Sequence, residues 1–220
     1  MDEKSKIAVF GGTGLIGYGV LQGLAEDAKA SIVSFQRAST GKQPLAYDVS
    51  VLSNFTPETI ENLPGSFSTV ICCLGTTIKK AGSKEKFRYV DFDLSLATAK
   101  LAQKNNAKYI LVSATGADPN SKVFYNRVKG DLEKAVQEMD MTSVTIFQPS
   151  LLIGNREEFR LLENIGENAY RFFKLFLPKK TLRAVGTETE NLISHILKEV
   201  ASKDSGLVRL SPKEIVNQTF

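Results

Sequence analysis

The chain has 220 residues, 42% of them hydrophobic and 24% charged, with a formal net charge of +4 and two cysteines. A chain of this length buries a substantial core without disulfide or metal staples. Its mild positive balance, with no dominating block of like charge, is accounted for by a phosphate-bearing ligand and does not require nucleic acid. No apolar run reaches the roughly 18 residues that cross a bilayer, and the polar start Met1-Asp2-Glu3-Lys4-Ser5-Lys6 lacks a signal core. Cys72 and Cys73 are neighbours, too close for an unstrained disulfide, and read as reduced thiols. These features lead us to expect a cytoplasmic protein. No metal site is expected, because the single histidine, His195, has no Cys or acidic partner at ligand spacing.

Residues 6–10 are a short apolar run that ends at once in Gly11-Gly12-Thr13-Gly14-Leu15-Ile16-Gly17. A helical pattern follows over 14–29, with Leu15, Val20, Leu21, Leu24 and Ala25 on one face. In a strand, tight turn and helix of this kind, glycines let the backbone approach a pyrophosphate, and the helix N-terminus offers N–H groups and a positive dipole end. Two registers fit, Gly11-x-x-Gly14-x-x-Gly17 and Gly12-x-Gly14-x-x-Gly17; a glycine-rich turn without ligand is the plain alternative. Residues 30–36 read as a second strand, closing a βαβ unit of roughly 30 residues. Its end, Ser34-Phe35-Gln36-Arg37-Ala38, lacks the acid that binds the ribose 2′-OH in NAD sites about 20 residues beyond the glycines. Arg37 stands where a guanidinium pairs with a 2′-phosphate, so NADP(H) is the expected cofactor. Ser39 and Lys42 are available to share that role, and a solvated surface arginine is the alternative.

Residues 44–48 resemble a short third strand, and a helical or irregular stretch runs from Asp48-Val49 to about 63, before the Pro64-Gly65 turn. Residues 68–74 form a near-continuous apolar strand of the buried parallel type, stopping at Gly75-Thr76-Thr77. Ligands in open α/β sheets lie beyond the carboxyl ends of strands, so Gly75 and Thr76 are expected against the cofactor, with Cys73 just behind. Both cysteines otherwise serve as small apolar filler. The basic run Lys79, Lys80, Lys84, Lys86 and Arg88 reads first as a solvated loop and helix start, and second as a phosphate-facing rim. A long helix is predicted over 87–103, with Val90, Leu94, Ala97 and Leu101 as its stripe and Asn105-Asn106 as its end. Residues 108–113 form a fifth strand that carries Ser113 at its carboxyl end, and a helix opens at Tyr125 and runs to about 140.

Tyr125 and Lys129 stand four apart, one turn along one helix face. An ammonium beside a phenol favours phenolate and lowers a pKa otherwise near 10. Tyr125 is therefore expected to exchange a proton with a carbonyl or alcohol oxygen. Lys129 would hold the nicotinamide ribose, and Ser113 would donate to the same substrate oxygen. These three are the candidate catalytic residues; a half-buried helix aromatic and an exposed lysine are the plain readings of the pair. Residues 142–148 form a sixth strand, and by fold analogy the segment after it flanks the nicotinamide, which makes Pro149, Leu151 and Leu152 candidate contacts. An amphipathic helix is predicted over 157–176. Its apolar run Phe172-Phe173-Lys174-Leu175-Phe176-Leu177 reads as core, or as a lid, a dimer surface or a membrane-touching edge. A late helix over 187–201, capped by Thr187 with Glu190, carries His195, which reads as structural. Residues 207–210 add a last strand, and Ser211-Pro212-Lys213-Glu214 opens a terminal helical turn.

These stretches together resemble a short-chain dehydrogenase/reductase of the atypical kind and, more closely, the Tat-interacting-protein oxidoreductase family. The resemblance is carried by residues 11–17, Cys72-Cys73-Leu74-Gly75-Thr76-Thr77, Lys80-Ala81-Gly82 and Val90-Asp91-Phe92-Asp93. It continues through Ser113 with Gly116-Ala117-Asp118, Tyr125-x-x-Val128-Lys129-Gly130-x-x-Glu133, Phe147-Gln148-Pro149 and Arg156-Glu157. It implies an α/β fold: a Rossmann-type doubly wound parallel sheet flanked by helices, one domain over 1–220 with a small helical substrate or lid portion from about 150 to 220. It implies NADP(H) held by Gly11, Thr13, Gly14, Leu15, Ile16 and Gly17, by Arg37 and Asp48, and by Leu74, Gly75 and Thr76. Tyr125, Lys129, Pro149, Leu151 and Leu152 complete that contact set, with Ser113, Tyr125 and Lys129 as catalytic trio. The family pattern carries paired basic residues after the second strand, whereas here Arg37 is followed by Ala38. The expected activity is hydride transfer between NADPH and a small, hydrophobic carbonyl or alcohol, by a monomer or homodimer without a nucleic-acid partner or stable membrane insertion. The alternative is an NADP(H)-sensing regulatory binding protein without turnover.

Overall fold

Short runs of Val, Ile, Phe and Tyr, apolar on both faces and separated by helical segments, build a parallel sheet covered on both sides. The computed structural model describes residues 6–26, 31–37, 47–150, 152–153 and 187–216. Its strands are β1 (Lys6–Phe10), β2 (Ser31–Gln36), β3 (Asp48–Val51), β4 (Thr69–Cys72), β5 (Lys108–Val112), β6 (Ser143–Phe147), β7 (Leu152–Ile153), β8 (Thr187–Glu188) and β9 (Gly206–Leu210). Seven of them form one sheet in the order β3-β2-β1-β4-β5-β6-β9, with every neighbouring pair parallel. β7 and β8 pair with each other, apart from that sheet. The expected Rossmann-type doubly wound sheet is thus the observed one.

Alternation along β1 assigns the two faces. Ile7 and Val9 point to one core, shared with Ile16, Val20 and Leu21 of α1 (Leu15–Glu26). Ala8 and Phe10 point to the other, toward α2 (Pro57–Glu61). Between α2 and the next long helix lie two short ones, α3 (Ile78–Ala81) and α4 (Lys84–Arg88). The predicted helix over 87–103 is longer and less regular than its periodicity suggests. It starts at α4, where Ser83 caps the Lys86 N–H at 3.2 Å, then widens into a π-helical turn at Tyr89–Leu94 before continuing as α5 (Ser95–Lys104). Helix α6 (Phe124–Gln137) covers the same face as α5, and α7 (Thr189–Ala201) covers the face of α1. Gly19 and Gly23 of α1 lie against Ile193 and Leu197 of α7 so closely that a Cβ on either glycine would collide with them. The chain closes with β9 and α8 (Pro212–Val216).

Two boundaries differ from expectation. The third strand begins at Asp48 instead of ending there, because Asp48 pairs with Val33 near the start of β2, and Val51 pairs with Gln36 at its end. Thr187 lies in β8, and helix α7 starts at Thr189, so Thr187 is not its cap. The helix predicted over 157–176, with its run Phe172 to Leu177, lies outside the described residues. Among those residues no helix is long and apolar enough to cross a membrane.

Candidate active site

The strand order reverses between β1 and β4, which lie side by side with Phe10 opposite Cys72. Crevices beyond the carboxyl ends at such a point are where open α/β sheets bind ligands. Here a cavity of about 470 Å³ opens, floored by Gly11, Gly12, Thr13 and Gly14 of the β1–α1 turn. The turn is closed by the Gly14 N–H donating to Gly11 O at 2.9 Å. Gly11 has φ +83°, and a Cβ there would meet Cys73 O at 2.5 Å; a Cβ on Gly17 would collide with Gly11 O. A Cβ on Gly12 would meet Ser34 Oγ and the end of the Leu21 side chain, each at 2.5 Å, and one on Gly14 would stand 3.3 Å from Gly11 O, so Gly11 and Gly17 are the positions of this turn where backbone excludes a Cβ. The N–H groups of the first helical turn, from Leu15 to Gly17, have no acceptor within the helix and face the turn. The Ile16 side chain is buried in the core, leaving only its backbone for a ligand.

The second wall comes from the end of β2. Phe35, Gln36 and Arg37 line the cavity. Gln36 is buried; its Nε2 donates to Ser34 Oγ at 3.1 Å, while its Oε1 has no partner. Arg37 is exposed at the mouth, and Phe55 closes the wall beyond it. Asp48 is placed elsewhere: the offset of β3 puts it at the amino end of that strand, exposed and outside the cavity lining, so it is removed from the contact set. Ser39, Lys42 and Leu151 lie outside the described residues.

The third wall, Cys73, Leu74, Gly75 and Thr76 after β4, is where the sequence put it. Opposite stand Lys80, Lys86, Tyr89 and Val90, which the sequence reading did not choose. The basic run divides. Lys84 sits over the Phe124 ring at 5.4 Å, and Arg88 pairs with Asp131 at 2.9 Å. Lys80 and Lys86 line the cavity, and among the described residues neither they nor Arg37 has a carboxylate partner. Lys80 and Lys86 are exposed, as the solvated reading of this run expects, and they also stand at the rim of the cavity. The caps explain why: Thr77 and Ser83 take the N–H groups of Lys80 and Lys86 at 3.1 and 3.2 Å, folding the run into two short helices.

Tyr125 and Lys129 share a face of α6, as expected. Lys129 is not exposed: its Nζ lies 2.7 Å from Asp91 Oδ1, and the two side chains are only 4% and 1% accessible. Asp91 sits in the π-helical turn, and its Oδ2 accepts the Thr76 N–H at 2.9 Å. A Cβ on Gly75 would stand 3.6 Å from Asp91 Oδ1 and 4.0 Å from Lys129 Nζ, so the pair abuts the cleft wall. Burial pulls the Lys129 pKa down, but Asp91 outweighs it and holds the ammonium above the ordinary lysine value. The Tyr125 ring packs on Phe87 with centroids 5.6 Å apart. Its phenol is pushed up by burial; Lys129 pulls it down, and Asp91 pushes it up again. The expected lowering by Lys129 is present but is outweighed by burial, and Asp91 offsets part of it.

Ser113 is buried at the end of β5, but its Oγ donates to Glu133 Oε1 at 2.5 Å and not toward Tyr125. Gln148 Nε2 donates to both oxygens of Glu133, at 3.0 and 2.9 Å, and Arg209 Nε lies 3.2 Å away. The expected donation from Ser113 to substrate is thereby replaced by a bond to Glu133. Ser113, Tyr125 and Lys129 are absent from the cavity lining, which ends at Thr76 on their side. Pro149 accepts the Thr115 N–H through its carbonyl at 2.9 Å, and Leu152 lies in β7. His195 is buried, with its pKa pushed down by desolvation, on helix α7 beside α8, in keeping with a structural role.

A glycine turn at the reversal point of a parallel sheet, with a Tyr–Lys pair on the helix after β5, defines a dinucleotide-binding Rossmann fold of the short-chain dehydrogenase/reductase type. The chain belongs to the HIM1 family, whose model matches residues 40–182. A relative from Scheffersomyces stipitis, named Protein FMP52-2, mitochondrial, is 30% identical over 219 residues, 95% of each chain. Protein HTATIP2 of Rattus norvegicus is 34% identical over 140 residues, 63% of this chain and 56% of its own, in agreement with the resemblance read from the motifs. Among solved structures, the Bordetella bronchiseptica enzyme WbmH in complex with NAD+ has the same fold, with TM-score 0.67, 14% identity, and 94% of this chain and 75% of that one covered. The cytoplasmic expectation is overturned, since the fungal FMP52 relatives are named mitochondrial. The two adjacent free thiols do not separate a mitochondrion from the cytosol.

Proposed function

We propose that this chain is an NADP(H)-dependent oxidoreductase that reduces a small, hydrophobic carbonyl, with Tyr125 as proton donor. The observation that carries the reading is the link from Lys129 through Asp91 to Thr76, which joins the Tyr–Lys helix to the wall of the dinucleotide cleft. A dinucleotide fits the cleft: the glycine turn has no room for a Cβ, and the buried Gln36 Oε1 awaits a donor. The phosphorylated form is favoured by three cations at the rim, Arg37, Lys80 and Lys86, with no acid at the end of β2. When bound, the reduced nicotinamide supplies the hydride that forms the new C–H bond. Tyr125 Oη gives its proton to the carbonyl oxygen, which has received the C=O bonding pair, and regains a proton from solvent. Its FMP52 relatives support a mitochondrial site of action, which fractionation of the expressing cell tests.

A second reading, a cofactor sensor without turnover, is favoured by one observation: Ser113 and Lys129 are each tied to a buried carboxylate. NADPH consumption across a panel of aldehydes, ketones and quinones separates the two. We expect turnover that Tyr125→Phe abolishes while NADPH affinity stays nearly constant. Equal turnover in both proteins removes Tyr125 from the chemistry, and no turnover on any of the panel with tight NADPH binding favours the sensor.

A further inference from the structure

Asp91 is the most enclosed carboxylate near the site, and a turn with an extra residue aims it inward. An α-helical phase over 87–103 puts Val90 and Leu94 on one stripe, and both line the cleft; within the π-helical turn at Tyr89–Leu94 that joins them, Asp91 is buried. Ser95 Oγ donates to Val90 O at 3.2 Å and so satisfies a carbonyl of the widened turn. Single π-turns inside helices cluster at functional positions, and a charge this deep is retained only when paired. Asp91 has two partners, and they belong to different parts of the site: Lys129 Nζ at 2.7 Å on the proton-transfer helix and the Thr76 N–H at 2.9 Å on the cleft wall.

We propose that Asp91 is a positioning residue that favours proton donation at this site: it holds the Lys129 ammonium and the Thr76 N–H together and offsets part of the lysine's charge at the Tyr125 phenol. The proposal rests on the oxidoreductase reading of the site and gives it a direction, reduction with a neutral phenol as acid, over oxidation with a phenolate as base. In the usual argument an uncompensated ammonium one turn away stabilises the phenolate. Here the ammonium is half of an ion pair, and the field of a close pair falls off faster than that of a single charge. The other groups around Tyr125 do not replace it. From α4 comes the uncharged Phe87 ring, while Lys84 lies over Phe124 and Arg88 on Asp131. β4 brings the buried thiol of Cys72. On α6, Arg127 donates to Ser121 O, and Glu133 is engaged by Ser113, Gln148 and Arg209. In the loop before α6, Asp118 Oδ1 accepts the Asn120 N–H.

The test reads the phenol directly, without substrate or cofactor. Protein labelled with 13C at tyrosine Cζ is titrated by NMR, and Tyr125→Phe assigns the resonance. In the unmodified protein the Tyr125 signal should stay at its phenol position up to a pH of about 10, the ordinary tyrosine value. In Asp91→Asn its midpoint should fall by about one unit or more, and Asp91→Glu should restore it. Removing both charges, Asp91→Asn with Lys129→Met, should return the midpoint to near the unmodified protein's. Ionisation of Tyr125 below pH ~9 in the unmodified chain, or an unchanged midpoint in Asp91→Asn, overturns the proposal. If Asp91→Asn does not fold, Asp91→Ser takes its place, with the same expected fall of the Tyr125 midpoint and the same overturning result. The pH profile of NADPH-dependent reduction of 9,10-phenanthrenequinone supplies the second readout: its alkaline fall-off should move to lower pH in Asp91→Asn. Absence of any turnover with this quinone counts against the reductase reading, whereas the NMR titration stands or falls on Asp91.

Discussion

The two ends of the cleft are built from different materials. The dinucleotide end is made of backbone: Gly11, Gly12, Gly14 and Gly17 shape it by what they lack, and its N–H groups carry the attraction. The proton-transfer end is made of buried charge, with Lys129 on Asp91 and Glu133 holding Ser113, Gln148 and Arg209. Backbone sites tolerate no added atom, while charge networks tolerate exchange when both partners change together. That contrast can be broken or sharpened experimentally.

The largest effect is expected from Gly17→Val. Its Cβ collides with Gly11 O, and no flexible side chain is there to give way. We expect a loss of roughly 3 kcal/mol or more of stability, with NADPH binding gone, read by thermal melting and calorimetric titration; a stable variant that binds normally would refute the steric basis of the cradle. Next comes Lys129→Met, which leaves Asp91 buried with only the Thr76 N–H. Removing one partner of such a pair costs about 3–5 kcal/mol, much of it recovered when Asp91→Asn is added. If denaturant midpoints of the double variant are no better than those of the single one, the charge-network description fails. A smaller effect is expected at the second carboxylate: Ser113→Ala and Glu133→Gln should be coupled by about 1–2 kcal/mol in a double-mutant cycle on stability. Strict additivity would mean that the 2.5 Å bond carries little. The smallest is Arg37→Ala, at the exposed rim. It should weaken NADPH roughly tenfold while leaving NADH nearly unchanged, and equal losses for both would remove Arg37 from 2′-phosphate recognition.

The same contrast explains what was legible in the sequence. Glycines that forbid a Cβ, Gly11 and Gly17, announce themselves, so the β1–α1 turn was readable, and apolar runs made the central parallel strands and the end of β4 readable too. Tyr125 and Lys129 were readable as a pair because helix spacing puts them on one face. Asp91 was not, because helical periodicity carries no sign of an inserted π-turn, and Asp93 nearby is an equally plausible acid. Glu133 falls on the same face of α6 as Lys129, yet its partners come from β5, β6 and β9, three strands that only the sheet order brings together. Asp48 was misplaced by a strand boundary: moving β3 downstream carries it from the carboxyl end to the amino end. Lys80 and Lys86 were readable only through their caps, since charge alone does not separate a rim from a solvated face.

The contact of α1 with α7 bears on how the chain acquires its structure. Gly19 and Gly23 give the first helix a groove fitted to Ile193 and Leu197, so the helix that presents the pyrophosphate site is completed by a segment made far later in synthesis. β9, which follows α7, docks in parallel beside β6. Pairings this distant in sequence form slowly. The N-terminal βαβ unit, although it holds the recognisable motif, therefore leaves the ribosome with an apolar helix face still waiting for its cover.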